Sequence, residues 1–279
     1  MSESGERQWQ GTTDGTSWMH RSLIGMMKVI PLWFFYLLMS LVIPFYMIFN
    51  HKGYISNYHY FRRRQSFGPL ESFLHVLACH WMFGTVIMDR FASYSGKKFK
   101  VEVPQMPMYE ELCSEKSGFL QLSSHIGNDE LAGYELRPPK KMNALVFGGE
   151  GAALTENRER ILGGNNVRLV SISEDMSHLV ILNNALADGE IVNIHGDRVF
   201  GSNRTVRCVV LGAEAELPLG PFLLASMRSV PAVSVFVMKV GLRKYRVHLF
   251  RPDEGLEGLD VRERAEAMAK AYAGAITEI

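Results

Sequence analysis

Between Val29 and Phe49 the chain runs 21 residues without a formal charge. A helix of that length reaches about 30 Å, the thickness of a bilayer's hydrocarbon core. Trp33, Tyr36 and Tyr46 are residue types that favour membrane interfaces. The run is too long for a signal peptide, no small-residue cleavage site follows it, and 28 residues precede it. A buried helix of a soluble domain passes the same length test, and Pro31 and Pro44 are expected to kink the segment and permit a shallow interfacial hairpin. We read it as a membrane anchor, spanning or interfacial. Lys52, Arg62, Arg63 and Arg64 follow it, against Arg21 and Lys28 before it, so the larger C-terminal part is expected on the cytoplasmic side. The Arg62–Arg64 run either meets anionic headgroups or an acidic carrier protein, or is a solvated cluster.

A length of 279 residues allows one sizeable core with an appendage. The formal net charge of +1 gives no reason to expect nucleic acid as a partner. Cys79, Cys113 and Cys208 are odd in number and far apart, so neither a disulfide framework nor a metal centre is expected. The expected organisation is a polar tail over 1–28, the anchor over 29–49, a membrane-proximal helical region over 50–107 and an α/β domain over 108–279. Within 50–107, Pro69 to Tyr94 reads as a helix rich in aromatics. Its His75 and His80 point about 140° apart on a 3.6-residue period and do not form a metal pair.

From Met108 onward, short apolar runs alternate with helical ones. The pattern predicts strands at 118–123, 143–147, 167–171, 190–194, 206–211, 232–238 and 245–250. Helices are predicted at 108–116, 129–136, 154–162, 175–187, 221–228 and 261–276. Such alternation indicates a three-layer α/β fold, with a mostly parallel central sheet of about seven strands flanked by helices. The last two strands lie close enough for a hairpin edge.

In the run Phe119-Leu-Gln-Leu-Ser-Ser-His125-Ile-Gly-Asn-Asp-Glu130, a histidine stands where a strand gives way to a helix. Catalytic groups of open α/β sheets gather at the carboxyl ends of strands. Histidine suits general-base work near neutral pH, and a carboxylate on its other ring nitrogen fixes the tautomer. On one continuous helix His125 and Glu130 would diverge by about 140°, and Asp129 by about 40°. Glu130 therefore serves His125 only if the histidine sits on a loop, with Gly127 breaking the strand and Asn128 as N-cap. Nine histidines and 29 acidic residues give about one His-x4-acid spacing by chance. Two occur, and the second, His248 with Asp253, lies inside a predicted strand.

The strand, Ser-Ser-His-Ile-Gly-Asn-Asp-Glu and following helix resemble the first motif of the lysophospholipid acyltransferase superfamily, in particular its lipid A late acyltransferase branch. Two later stretches resemble further blocks of that branch in order: Leu186-Ala-Asp-Gly-Glu-Ile-Val-Asn-Ile-His-Gly-Asp197-Arg198, and Leu211 to Ala225 followed by Val230-Pro231-Ala-Val-Ser-Val-Phe. Asp129 stands where the branch carries a bulky aromatic, so it remains beside Glu130 as a candidate partner of His125. The second block has no firm match, although Val146–Glu150 and Arg158–Arg160 occupy its region. Relatives continue beyond the position of Ile279 with an aromatic-rich segment.

The resemblance implies acyl transfer from an acyl carrier protein or coenzyme A thioester, at the inner membrane and without a further cofactor or metal. His125 is the implied base and Glu130 its orienting acid. Backbone amides near Gly127 and Asn128, or after strand 206–211, are candidate oxyanion donors. Arg198 and Arg204 are candidates to hold a phosphate or carboxylate of a substrate, or else form surface salt bridges. Asp197 and His195 either join the substrate site or only structure a turn. Ser123 and Ser124 lie outside any G-x-S-x-G elbow, which argues against an acyl-enzyme. The acceptor is a lipid A precursor or similar lipid, or an amino acid acylated on nitrogen; a non-catalytic membrane lipid-binding protein is the reading from another class. A glycosyl- or phosphotransferase is disfavoured because the sequence has no P-loop, G-x-G-x-x-G or D-x-D motif.

Overall fold

The computed structural model describes residues 16–49, 51–146, 166–173, 175–199 and 204–279. The helices in chain order are α1 (Ser17–Val29), α2 (Leu32–Phe49), α3 (His51–Arg63), α4 (Pro69–Tyr94), α5 (Met106–Ser114), α6 (Glu130–Glu135), α7 (Ser177–Ala187), α8 (Gly220–Arg228) and α9 (Val261–Glu278). The strands are β1 (Lys100–Glu102), β2 (Phe119–Gly127), β3 (Met142–Val146), β4 (Val167–Ser171), β5 (Ile191–His195), β6 (Thr205–Val210), β7 (Ala213–Pro218), β8 (Ala232–Gly241) and β9 (Lys244–Phe250). Seven strands form one sheet in the order β1-β9-β8-β2-β5-β3-β4, and β6 and β7 form a separate two-stranded sheet among the described residues. Every neighbouring pair in the large sheet is parallel except β8–β9.

Side-chain alternation along β2 builds the three layers. Phe119 points into a core shared with α1, α4, α5 and α6, through Met27, Phe91, Tyr109 and Leu131. Leu120 and Leu122 point the other way, into a core closed by α7, α8 and α9 through Leu182, Phe222 and Tyr272. The α/β architecture with a mostly parallel seven-stranded sheet is therefore present.

Its composition differs from expectation in two strands. The predicted strand 206–211 is not in the central sheet: it forms β6 of an antiparallel ribbon with β7. Leu211 and Gly212 both have positive φ (+50° and +73°), which suits a two-residue hairpin turn and folds the chain straight back. The seventh sheet strand is β1, a three-residue edge strand in the region expected to be helical. The predicted helix 154–162, like Glu150 and Arg158–Arg160, lies outside the described residues. The hairpin β8–β9 forms as expected but is not the edge, because β1 covers β9.

From residue 17 the N-terminal segment is helix α1, whose Ile24 and Met27 are buried in the first core. Pro31 sits in the break between α1 and α2, while α2 continues through Pro44 without ending. Helix α2 packs antiparallel on α4: Trp81 Nε1 donates to Ser40 Oγ at 3.0 Å, and Gly84 lies against Ile43 and Met39. Both helices are long and apolar enough to cross a membrane, with mean hydropathy of 2.1 and 1.3 over their best windows.

One glycine is fixed by its surroundings. Gly127 ends β2 at φ +72°, and a Cβ there would fall 1.8 Å from the Val237 carbonyl oxygen on β8. Left-handed backbone and a backbone collision act together, so Gly127→Ala is expected to destabilise the fold by about 2–3 kcal/mol or to displace β2 from β8. Denaturant unfolding checks this; a change within about 0.5 kcal/mol contradicts it.

Candidate active site at the carboxyl end of the central strand

Strands β2 and β5 run in parallel register with a constant offset, from Phe119 opposite Ile191 to Ser123 opposite His195. The same offset of 72 residues carries on past the strand end and sets His125 beside Asp197. Against β8 the register slips: Ser123 pairs with Val235 but Gly127 with Val237, so β2 bulges between them. A bulge re-aims side chains. Here it lies at His125, whose imidazole is 42% exposed at the carboxyl ends of the parallel strands.

Asp197 grips His125 twice. The His125 backbone N–H donates to Oδ2 at 2.7 Å, and Nδ1 lies 2.8 Å from Oδ1. A carboxylate only accepts, so Nδ1 carries a proton, and in the neutral ring Nε2 presents the lone pair. The partner of the histidine is thus Asp197, and neither Glu130 nor Asp129 occupies that place. Gly196 holds Asp197 in position: its N–H donates to the Ser123 carbonyl at 3.0 Å, and its missing side chain admits the Tyr272 ring.

Asp129 instead pairs with His195, Oδ2 to Nε2 at 2.9 Å. The His195 ring stacks on that of His125, with centroids 4.3 Å apart and planes 30° off parallel. Two imidazoles, each with a carboxylate, therefore lie face to face.

Glu130 begins α6 and turns toward α4, where Arg90 donates to Oε1 and the Tyr94 hydroxyl donates to Oε2 at 2.5 Å. The reason is local. His125 and Gly127 remain within β2, and the helix starts only at Glu130, with Asp129 rather than Asn128 at its N-cap. Asn128 is buried and its N–H donates to the Val237 carbonyl at 3.0 Å, so this amide is not an oxyanion donor. Gly127 serves as the close-approach residue described above. Arg198 follows Asp197 directly and is exposed; Arg204 is exposed just before β6.

Two residues on α4, Arg90 and Tyr94, belong to this site and were not anticipated. The residue before Arg90 is Asp89, which points into the protein. Asp89 is fully buried, 2.7 Å from Lys239 Nζ on β8 and 2.5 Å from the Tyr245 hydroxyl on β9, and it also accepts from the Tyr36 hydroxyl on α2. Lys239 lies 4.7 Å from the centre of the Tyr36 ring. Consecutive residues of α4 thus clamp both the apolar helix α2 to the sheet and the first turn of α6 beside the histidines.

The electrostatics follow from these contacts. Burial on its own would raise the Asp129 carboxyl. The hydrogen bond from His195 and the charges of His195, Arg90 and His125 outweigh burial and bring it down to about 2. Asp197 is lowered for the same reasons, with burial opposed by the bonds and charge of His125. A carboxyl lower in the folded state than in the unfolded chain (about 3.9) stabilises the fold above the unfolded value. That contribution is lost as the pH falls through the folded one. Acid titration from about pH 4 to pH 2 is expected to erode stability, and Asp129→Asn to flatten the slope. An unchanged slope in urea unfolding across that range contradicts the pairing. Among the described residues, no three His, Cys, Asp or Glu side chains converge as a metal-ligand set.

No protein-family model and no curated protein sequence matches this chain.

Proposed function

We propose that this chain transfers a fatty acyl group from an acyl carrier protein or coenzyme A thioester to a hydroxyl of a lipid A precursor or similar lipid acceptor. In this reading it is a member of the lysophospholipid acyltransferase superfamily. It works at the inner membrane with its α/β domain facing the cytoplasm. The observation that supports it best is an exposed imidazole, held through Nδ1 by a carboxylate, at the carboxyl end of the central parallel strand and next to helices apolar enough for a bilayer.

His125 Nε2 removes the proton of the acceptor hydroxyl as its oxygen attacks the thioester carbonyl carbon. Asp197 stabilises the imidazolium that forms and keeps the ring from turning. The tetrahedral intermediate then collapses with cleavage of the carbon–sulfur bond, and the departing thiolate takes the proton back from His125. His195, stacked on the base and tied to Asp129, limits its tilt. Arg198 and Arg204 are proposed to meet a phosphate of donor or acceptor.

Incubating the purified chain with isotopically labelled acyl thioester and an extracted lipid acceptor tests this. The expected product is heavier by one acyl group and releases the label in mild alkali, as an ester does. Label that survives alkali marks N-acylation of an amine instead. Labelled thioester or lipid recovered unchanged, with lipid still bound, favours a lipid-binding protein.

A further inference from the structure

A groove of about 450 Å³ opens at the foot of α2, between the α1–α2 break and the tip of the β8–β9 hairpin. Its apolar lining includes Val29, Pro31, Trp33 and Leu242, and its polar lining includes Lys97 and Arg243. None of the residues that line it is acidic. Arg243 is fixed at φ +61° and its Nη2 donates to the Lys98 carbonyl at 2.9 Å. Neither Lys97 nor Arg243 has an acidic partner among the described residues. Two cations over an apolar floor lack only an anion with an apolar continuation.

The groove is continuous with an apolar surface that suits such a ligand. Every fourth residue along α2 is a large, exposed hydrophobic: Trp33, Leu37, Leu41, Phe45 and Phe49, each more than half exposed. At about 1.5 Å per residue this stripe is nearly as long as the hydrocarbon core of a bilayer is thick. The groove lies at one end of it, where Trp33 and the exposed Leu242 flank the cations. That is the level of lipid phosphates for a helix that enters the bilayer.

We propose that this groove binds the headgroup of an anionic phospholipid, with the phosphate between Lys97 and Arg243 and the acyl chains along the α2 stripe. A zwitterionic choline headgroup brings its own cation toward Lys97 and Arg243 and is bound less well. The site is distant in sequence from His125 and does not depend on the catalytic reading.

The test uses the full chain reconstituted in phosphatidylcholine bilayers that carry a small fraction of either brominated phosphatidylglycerol or brominated phosphatidylcholine. Tryptophan quenching is read for each lipid. The anionic lipid is expected to associate about 25-fold more strongly, since each of the two cations at a membrane surface contributes about a fivefold preference. The double variant Lys97→Gln, Arg243→Gln is expected to bring the two lipids to parity. The control Lys270→Gln, Arg207→Gln, with the same change in charge on α9 and β6, is expected to keep the preference. Equal quenching by both lipids in the parent chain, or equal loss of preference in groove and control variants, overturns the proposal. Circular dichroism of the reconstituted variants confirms that the fold is retained; should the groove variant fail to fold, Lys97→Arg with Arg243→Lys must preserve the preference.

Discussion

Replacing His125 by alanine is expected to lower acyl transfer by about three orders of magnitude or more, and Asp197→Asn by two to four, with the fold unchanged. Alanine removes the group placed to take the acceptor's proton. Asparagine keeps the shape of Asp197 but presents an N–H, or a neutral oxygen, to Nδ1. The imidazolium loses its compensating charge, and a flipped amide favours the tautomer that leaves no lone pair on Nε2. Glu130→Gln provides the contrast. Its carboxylate is engaged by Arg90 and Tyr94, so the rate is expected to stay within about tenfold of the parent, and the loss to fall on stability. Initial rates with saturating thioester check all three. A parent-like rate in His125→Ala removes His125 from the role of general base.

Lys239→Ala is expected to cost about 3–5 kcal/mol in denaturant unfolding, among the largest effects of any single substitution in this chain. The ammonium is 2% exposed and the Asp89 carboxylate 0%, so its removal strands a buried charge with only two hydroxyls for company. Burial lowers the pKa of Lys239, while the bond to Asp89 raises it back in part. Losing both charges is different. Asp89→Leu with Lys239→Met is expected to recover most of the loss, because two desolvated ions are replaced by packed apolar groups. If Lys239→Ala unfolds at the parent's denaturant concentration, the clamp contributes nothing. The double variant keeps α4 in the core but frees its last turns from the sheet, so Arg90 and Tyr94 are expected to hold Glu130 less firmly.

Much of this was legible in residues, and the missing parts have physical causes. Short β-branched runs alternating with helical ones gave the layers, because buried parallel strands and amphipathic helices have different periods. The edge strand β1, Lys-Val-Glu, is too short and too charged to carry such a period. For strand β6, hydrophobic alternation gives a face and not a neighbour; the Leu211–Gly212 turn decides the neighbour. His125 is legible from its place at a strand end. Local spacing points to an acid within five residues, where a helix supplies partners, but the partner follows the neighbouring strand, 72 residues on.

The signal for that partner lay in the polar positions. Gln121, Ser123 and His125 alternate along β2; Asn193 and His195 alternate along β5, and Asp197 continues the pattern just past its end. In a buried sheet such positions need one another, and Ser123 Oγ does donate to Asn193 Oδ1 at 2.7 Å. Knowing that β2 and β5 are adjacent and in this register would have delivered Asp197 and His195 together. The Arg90–Glu130 contact carries no comparable signal, since it depends on how α4 crosses the sheet.

A double-mutant cycle on His125 and Asp197, read as single-turnover acyl transfer from a labelled thioester, tests the dyad most directly. If the two act as a unit, the variant lacking both is no slower than His125→Ala alone, because the carboxylate works only through the imidazole. Losses that add in full, or an Asp197→Asn variant at the parent's rate while Glu130→Gln is inactive, would show that the histidine draws on a different acid.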